Sequence, residues 1–207
     1  MTEPIRFPPG AFDKADPSPD SLFYVEPRFV AHIDDAAIGA VTELYRRTLP
    51  SGGVILDLMS SWISHLPEEM AFARVIGHGM NAAELAANPR LDEWFVQDLN
   101  AHPILPLASS SVDAACLCVS VQYLQQPVAV FREAARVLRA GGSLAVTFSN
   151  RCFPTKAVAI WQALSGPDQQ RLVSVYCSEA GFEGIETGHA GRPGGDPLWS
   201  VIGRVPG

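Results

Sequence analysis

Residues 105–150, LPLASSSVDAACLCVSVQYLQQPVAVFREAARVLRAGGSLAVTFSN, decide the fold because two kinds of apolar pattern alternate within them. The run AACLCVSV is almost continuously apolar, as parallel strands buried on both faces are. Pro127 then opens a helix that Gly141-Gly142 closes. Its apolar residues fall at the spacing of one helical face: Phe131, Ala134, Ala135 and Leu138. The run SLAVTFS follows as another strand, so the stretch predicts two parallel strands joined by a helix.

The same alternation extends toward the N-terminus. Val54–Leu58 predicts the first core strand, preceded by a helix that Asp34 or Asp35 caps and that runs to about Arg47. After the strand, Pro67 predicts a helix start. The segments RVIGHG, NAAELAANP and WFVQDLN then predict a strand, a short helix and a strand. The expected fold class is therefore α/β, with a doubly wound, mostly parallel sheet.

The last third of the chain departs from this alternation. A helix is expected from about Pro167 to Ala180, ended by Gly181. The segments EGIETGH and LWSVIGR predict two more strands, which brings the sheet to seven. Only the turn-rich AGRPGGDP separates them, and a parallel crossover needs a longer connection. We therefore expect the terminal strand to pair antiparallel.

Composition bounds the function. The 207 residues are 47% apolar and 18% charged, which suits one globular domain. We expect that domain over residues 23–207, behind a flexible, Pro-rich N-terminal arm at residues 1–22 that lacks the apolar core of a signal peptide. The net charge of −7 argues against a nucleic-acid partner. The apolar runs are too short for a membrane span, so a cytoplasmic protein is expected. The four cysteines lack metal-ligand spacing, so no metal is expected.

Residues 105–150 resemble class I S-adenosylmethionine-dependent methyltransferases of the type 11 kind. In that family an LPF…SFD loop precedes one strand, and a helix ending in VLRPGG precedes the next. Here the segments are LPLASSSVD, REAARVLRAGG and SLAVTFSN. The segments GFEGIETG and DPLWSVIGR also resemble the family's sixth and seventh strands. The resemblance covers roughly residues 50–205 and implies a Rossmann-like fold, S-adenosylmethionine as cofactor and a small-molecule substrate.

The glycine-rich motif of that family is degenerate here. In the family, the first strand runs into an acid and then a turn of glycines, whose bare backbone lets a ligand approach closely. Asp57 keeps the acid, but Met59, Ser61 and Ile63 stand where glycines are usual. Asp57 is therefore expected to bind or orient the cofactor.

Two explanations of this loop are open. Ser60, Ser61 and Ser64 supply hydroxyls that, with free N–H groups at a following helix start, hold the carboxylate of the methionine moiety. Alternatively, Met59 and Trp62 pack the loop shut and leave no space for a cofactor. The first explanation predicts cofactor contacts from Ser60 and Ser61.

The other cofactor positions match the family unevenly. The acid that usually binds the ribose hydroxyls falls at Gly79, with His78 and Asn81 as the nearest polar substitutes. Asp98 keeps the acid that usually meets the adenine amine. Gln122, after the fourth strand, stands where the family places residues over the methionine moiety.

The substrate side is inferred from the residues that flank these strands. Tyr24 precedes the core in a segment that often covers the cofactor in this family, and Trp62 is a candidate for stacking on a ligand. His32 and Tyr123 are the candidate catalytic groups, His32 because histidine titrates near neutrality. For each of these four residues, ordinary packing is the alternative.

Three functions follow from this pattern. The first is methyl transfer to a small molecule, which needs alignment and desolvation more than a strong acid or base. The second is a non-catalytic protein that uses the same fold to bind a partner or another ligand. A nicotinamide-dependent oxidoreductase ranks last, because a pyrophosphate needs the glycine turn that this chain lacks.

Overall fold

The computed structural model describes residues 5–191 and 194–207, so part of the turn-rich AGRPGGDP segment and the first four residues lie outside it. Seven strands form one sheet. In chain order they are β1 (Val54–Leu58), β2 (Arg74–Gly79), β3 (Glu93–Val96), β4 (Val112–Cys118), β5 (Leu138–Phe148), β6 (Glu183–Ala190) and β7 (Leu198–Arg204). Their spatial order is β3-β2-β1-β4-β5-β7-β6. Strands β1 to β5 are parallel and β7 is antiparallel to both neighbours, which confirms the predicted class.

Helices cover both faces of the sheet. They are α1 (Asp20–Phe23), α2 (Asp35–Thr48), α3 (Ala82–Ala87), α4 (Pro127–Val137), α5 (Ala159–Gln162) and α6 (Gly166–Glu179), with a single 3₁₀ turn at Val121–Tyr123. Asp34 is the N-cap of α2, since its side chain accepts from the Ala37 N–H. One apolar core cluster lies under α4 and α6, and the other lies under α2.

Three expected elements differ in the structure. The helix expected at Pro67 is wrong: residues 59–73, all of them described, form turns and irregular backbone. Arg90 holds this segment from outside, because its guanidinium donates to the Pro67 and Met70 carbonyls at 3.2 and 3.0 Å. The third strand ends at Val96, four residues before the expected end at Asn100. The helix at Pro127 ends at Val137, since the following residues already pair with β4.

The N-terminal segment has little regular structure but packs on the domain from residue 5 onward. Phe7 lies 5.0 Å from Phe12 and 5.9 Å from Tyr176, between ring centroids. Asp16, in the same segment, pairs with the fully buried Lys156: the Lys156 ammonium lies 2.9 Å from an Asp16 carboxylate oxygen. These contacts fix the path of the chain up to α1. Residues 20–33, here called the cover segment, then pass over the carboxyl edge of the sheet.

Strand order reverses between β1 and β4, the two central neighbours. In doubly wound sheets ligands bind outside the carboxyl ends of the strands at this switch point. The sequence therefore directs the ends of β1, β2 and β4 toward one cavity.

Candidate functional site

A cavity of about 280 Å³ lies at the carboxyl ends of these strands, beneath the cover segment. Nine of the candidate residues line it: Tyr24, His32, Asp57, Ser60, Ser61, His78, Asn81, Asp98 and Tyr123. Gln122 and Trp62 do not line it. Most side chains proposed from the sequence thus meet in one space, although they come from five separate parts of the chain.

The turn after β1 has a backbone conformation that usually requires glycine, although it contains no glycine. Met59 has φ = 57°, in the left-handed region that residues other than glycine rarely occupy. The Met59 N–H donates to His78 Nδ1 at 3.1 Å, and the Ser60 N–H donates to the His78 carbonyl at 2.6 Å. These two bonds to β2 offset the strain of the turn, for which about 1–3 kcal/mol is typical.

Trp62 points away from the cavity. Its indole N–H donates to the Val30 carbonyl at 3.1 Å, and its ring meets Phe29 edge-on at 6.3 Å. The indole therefore connects the loop after β1 to the cover segment from outside. Met59 lines one wall, but the two side chains together do not close the cavity.

Gly79 explains why the ribose acid is missing from its usual place. A Cβ at Gly79 would lie 2.5 Å from the Ser60 carbonyl oxygen and 3.1 Å from Leu85 Cδ2. The glycine-poor loop after β1 thus rests directly on the end of β2 and leaves no room there for a side chain. The missing glycine turn and the missing acid at position 79 are therefore structurally coupled.

Glu84 brings a carboxylate into the same region from α3, and sequence reasoning missed it. It is 8% exposed and lines the cavity. One carboxylate oxygen accepts the Ser61 hydroxyl at 2.6 Å, and the other accepts the Arg28 backbone N–H at 2.7 Å. The available signal was its place three residues after Asn81, the N-cap of α3, where a glutamate commonly turns back toward the helix start.

Asp57 is a buried acid at the end of β1, with 3% of its surface exposed. The Ser60 hydroxyl donates to it at 2.6 Å and the Cys116 thiol approaches at 3.6 Å. Burial raises the pKa of Asp57 to about 6, because these donors only partly replace water. A cationic ligand group beside it would restore the charged form.

His78 is a neutral connector between three strands. Its Nδ1 accepts from Met59, so its Nε2–H donates to the Gln97 carbonyl at 2.9 Å. Burial lowers the pKa of His78 to about 4. Both ring nitrogens are occupied, so His78 shapes the cavity and has no free nitrogen to offer a cofactor.

Asn81 and Asp98 also have partners within the protein. The Asn81 side chain accepts from two N–H groups of α3 and donates to the Tyr24 and Val25 carbonyls at 2.9 and 3.1 Å. It therefore anchors the cover segment. Asp98 accepts the Asn100 N–H at 2.9 Å with one oxygen, which forms a turn, and it lines the cavity, so its contact with adenine stays a prediction.

Gln122 differs from expectation. It is fully buried, and its amide donates to the Val119 and Arg151 carbonyls at 3.0 and 3.4 Å, on the protein side of the loop after β4. Ser120 lines the cavity instead, and its hydroxyl is buried without a protein partner. Val119 before it has φ = 48°, a second left-handed residue at the cavity.

Aromatic residues form the other end of the cavity. The Tyr123 hydroxyl accepts the Phe153 N–H at 2.9 Å, and burial raises the pKa of Tyr123 to about 12. That hydroxyl therefore positions Phe153 and is a poor base near neutrality. His32 lies 5.4 Å from the Phe153 ring, and partial desolvation lowers its pKa, which keeps its imidazole neutral at pH 7. Tyr24 lies beside them, and burial raises its pKa.

The donors and acceptors of this cavity suit an organic cofactor rather than a metal. No group of three or more potential metal ligands occurs in the described part of the chain. Four described cavity residues carry a buried polar atom without a hydrogen-bond partner: Asp20, Arg28, His65 and Ser120. The Asp20 carboxylate lies 3.6 Å from the Lys156 ammonium. Buried polar atoms normally find partners, so the other three are available to a ligand. No helix among residues 5–191 and 194–207 is long and apolar enough to cross a membrane.

The sheet order and the position of this site match the class I S-adenosylmethionine-dependent methyltransferase fold. The family model described as a methyltransferase domain matches residues 61–146. One solved structure of this fold contains S-adenosyl-L-methionine.

Particular relatives agree with this assignment. The chain is 32% identical, over 145 residues, to a malonyl-[acyl-carrier protein] O-methyltransferase of Hahella chejuensis. The match covers 67% of this chain and 50% of the relative, so the chain spans about half of that protein's length. Among solved structures, the [4+2]-cyclase SpnF has a TM-score of 0.62 and 18% identity, with 88% of this chain and 86% of that chain covered. Phosphoethanolamine N-methyltransferase 2 of Haemonchus contortus, in complex with S-adenosyl-L-methionine, has a TM-score of 0.60 and 13% identity, with 82% and 53% covered.

Proposed function

We propose that this protein is an S-adenosylmethionine-dependent methyltransferase that acts on a small molecule. The observation that carries the proposal is the cavity at the switch point of the sheet, which persists although the glycine turn is gone. Its walls hold four carboxylates. Asp20 is paired with Lys14 and Lys156, which leaves Asp57, Glu84 and Asp98 for a ligand.

These carboxylates suit the three polar parts of the cofactor. Asp57 is suited to the cationic amine of the methionine moiety, since an opposite charge would relieve its burial. Glu84 takes the ribose hydroxyls in place of the acid that Gly79 cannot carry. Asp98 meets the adenine amine, and the free Ser120 hydroxyl faces the methionine part. The cofactor supplies an activated methyl group on a sulfonium centre.

The residues of the chain then align and dehydrate the acceptor. Tyr24, Tyr123 and Phe153 form an apolar wall on the substrate side. His32 stands next to Phe153 with a neutral imidazole, which can take a proton from an oxygen or nitrogen acceptor. The cover segment excludes water from this space, as methyl transfer between closely held groups requires.

Calorimetry with S-adenosylhomocysteine tests the proposal without a known acceptor. We expect one site of micromolar affinity. In Asp98→Ala that affinity should fall about tenfold, while an exposed acid away from the cavity, Glu43→Gln, should leave it unchanged. No binding at millimolar ligand would show that the cavity is not a cofactor site.

The second candidate is a non-catalytic protein of the same fold. The absence of a helix in residues 59–73 favours it, because the cofactor carboxylate then lacks a helix start to bind. The two candidates separate in the same titration: a scaffold would not bind S-adenosylhomocysteine, whereas the proposed enzyme would.

A further inference from the structure

Arg28 is a cation of the cavity that forms no ion pair with an acid among the described residues. It belongs to the cover segment and lines the cavity. In the described part of the chain, no carboxylate oxygen lies within 4.0 Å of its guanidinium. Glu84 is its neighbour, but the two Glu84 oxygens accept the Ser61 hydroxyl and the Arg28 backbone N–H.

The guanidinium is held in place on one side and free on the other. Its centre lies 4.4 Å from the Phe23 ring centroid, 5.6 Å from that of Tyr24 and 5.4 Å from that of Phe153. Nη2 donates to the Phe23 carbonyl at 2.8 Å. Nη1 is buried and has no protein partner. Stacking and one hydrogen bond thus fix the plane of the group and leave Nη1 to a ligand.

The position of this free donor distinguishes acceptor from cofactor. The carboxylates proposed for the cofactor lie at the ends of β1 and β3 and on α3, whereas Arg28 stacks on Phe153, which follows β5. His32, the candidate proton acceptor, contacts the same Phe153 ring. A guanidinium with a buried and unused donor suits an anionic oxygen group, because its planar fork matches carboxylate and phosphate oxygens.

We propose that the methyl acceptor carries a carboxylate or phosphate group that binds Arg28 Nη1, beside His32 and Phe153. This inference rests on the proposed function and adds the chemical class of the substrate. The aromatic wall further favours an acceptor whose anionic group is attached to an apolar or aromatic body.

Benzoate and its neutral isostere benzamide test the charge requirement on the unaltered protein saturated with S-adenosylhomocysteine. By titration calorimetry or NMR shift mapping, benzoate should bind at least tenfold more tightly than benzamide. Phenyl phosphate forms the second arm: tighter binding than benzoate assigns a phosphate, and weaker binding assigns a carboxylate. Equal affinity of benzoate and benzamide, or binding of neither, would overturn the proposal.

Two arginine variants locate the effect. Arg28→Gln should remove the preference for benzoate. Arg151→Gln should keep it, because Arg151 also lines the cavity but is already paired with Asp196 at 2.7 Å. Unchanged benzoate affinity in a folded Arg28→Gln protein would contradict the proposal.

The affinity for S-adenosylhomocysteine distinguishes failure of the anionic-acceptor proposal from failure of the proposed function. If S-adenosylhomocysteine binds and the benzoate preference is absent, the anionic acceptor is wrong and the proposed function stands. If S-adenosylhomocysteine does not bind, the proposed function fails. The benzoate and benzamide titrations on the unloaded protein then still decide whether Arg28 recognises an anion.

Discussion

Ser61 donates its hydroxyl to Glu84 at 2.6 Å. The methyltransferase family usually has a glycine at the position of Ser61. Its ribose-binding acid usually stands at the position of Gly79, not at that of Glu84. The pair therefore replaces both lost features with one hydrogen bond between the loop after β1 and helix α3. In the proposed enzyme, side chains would therefore form the cofactor site, since the bare backbone of a glycine turn is missing.

Loss of the Glu84 charge should weaken cofactor binding. In Glu84→Gln we expect the affinity for S-adenosylhomocysteine to fall roughly 10- to 100-fold, since hydrogen bonds to a charged group contribute about 1.5–3 kcal/mol. Calorimetry measures the change. The matched control is Glu93→Gln, which removes an exposed acid at β3 and should have no effect. Equal affinities in both variants would mean that Glu84 only supports the loop.

Asp57 and His78 should affect stability in opposite directions between about pH 4 and 6. The pKa of Asp57 is raised to about 6, so its ionisation destabilises the folded protein as pH rises from about 4 to 6. The pKa of His78 is lowered to about 4, so the fold gains stability as pH rises from about 4 to 6.5. In the natural protein these two contributions nearly cancel.

Asp57→Asn removes one side of this balance. The variant should be more stable than the natural protein at pH 7.5, by about 2–3 kcal/mol, and the gain should vanish near pH 4. Urea unfolding at several pH values measures it. A gain that is equal at pH 4 and 7.5 would show that the Asp57 charge is not the cause. The same variant should bind S-adenosylhomocysteine more weakly at pH 7.5.

Restoring an acid at the usual position should damage this protein. In Gly79→Asp the new Cβ would lie 2.5 Å from the Ser60 carbonyl, so we expect a lower melting temperature and no gain in cofactor affinity. Gly39→Ala in α2 is the control: its Cβ would meet nothing within 4 Å, and the fold should gain about 0.5–1 kcal/mol. Tighter binding by Gly79→Asp would mean that the loop moves aside easily.

Trp62 should control access to the cavity without forming its wall. Trp62→Phe loses the indole bond to the Val30 carbonyl but keeps an aromatic ring beside Phe29. We expect faster hydrogen exchange in residues 20–33 and a two- to fivefold faster release of S-adenosylhomocysteine, with little change in melting temperature. If exchange in the cover segment is unchanged, the indole does not hold it.

The fold followed from sequence because its signals are local and repeated. The apolar run before Pro127 formed a strand as expected, and the helix began at Pro127 as expected, although it ended earlier, at Val137. The helix expected at Pro67 did not form. A residue distant in the chain, Arg90, donates to two carbonyls of this segment. No local pattern reports such a contact.

The site was predictable where a strand end fixes the direction of a side chain. Asp57 lies near the carboxyl end of β1, Asp98 follows β3, and both line the cavity as expected. Glu84 was missed because its role depends on contact with Ser61, which lies 23 residues earlier in the chain. Gln122 was misplaced by two residues: the left-handed backbone at Val119 turns Ser120 into the cavity and Gln122 away from it.

A crystal structure with S-adenosylhomocysteine tests the central claim most directly. The account predicts adenosine at the ends of β1 to β3, with the ribose hydroxyls on the Glu84 carboxylate and the adenine amine on Asp98. Contradiction would come from a protein soaked at millimolar ligand in which Met59 has closed the space, or in which the nucleoside lies away from Glu84.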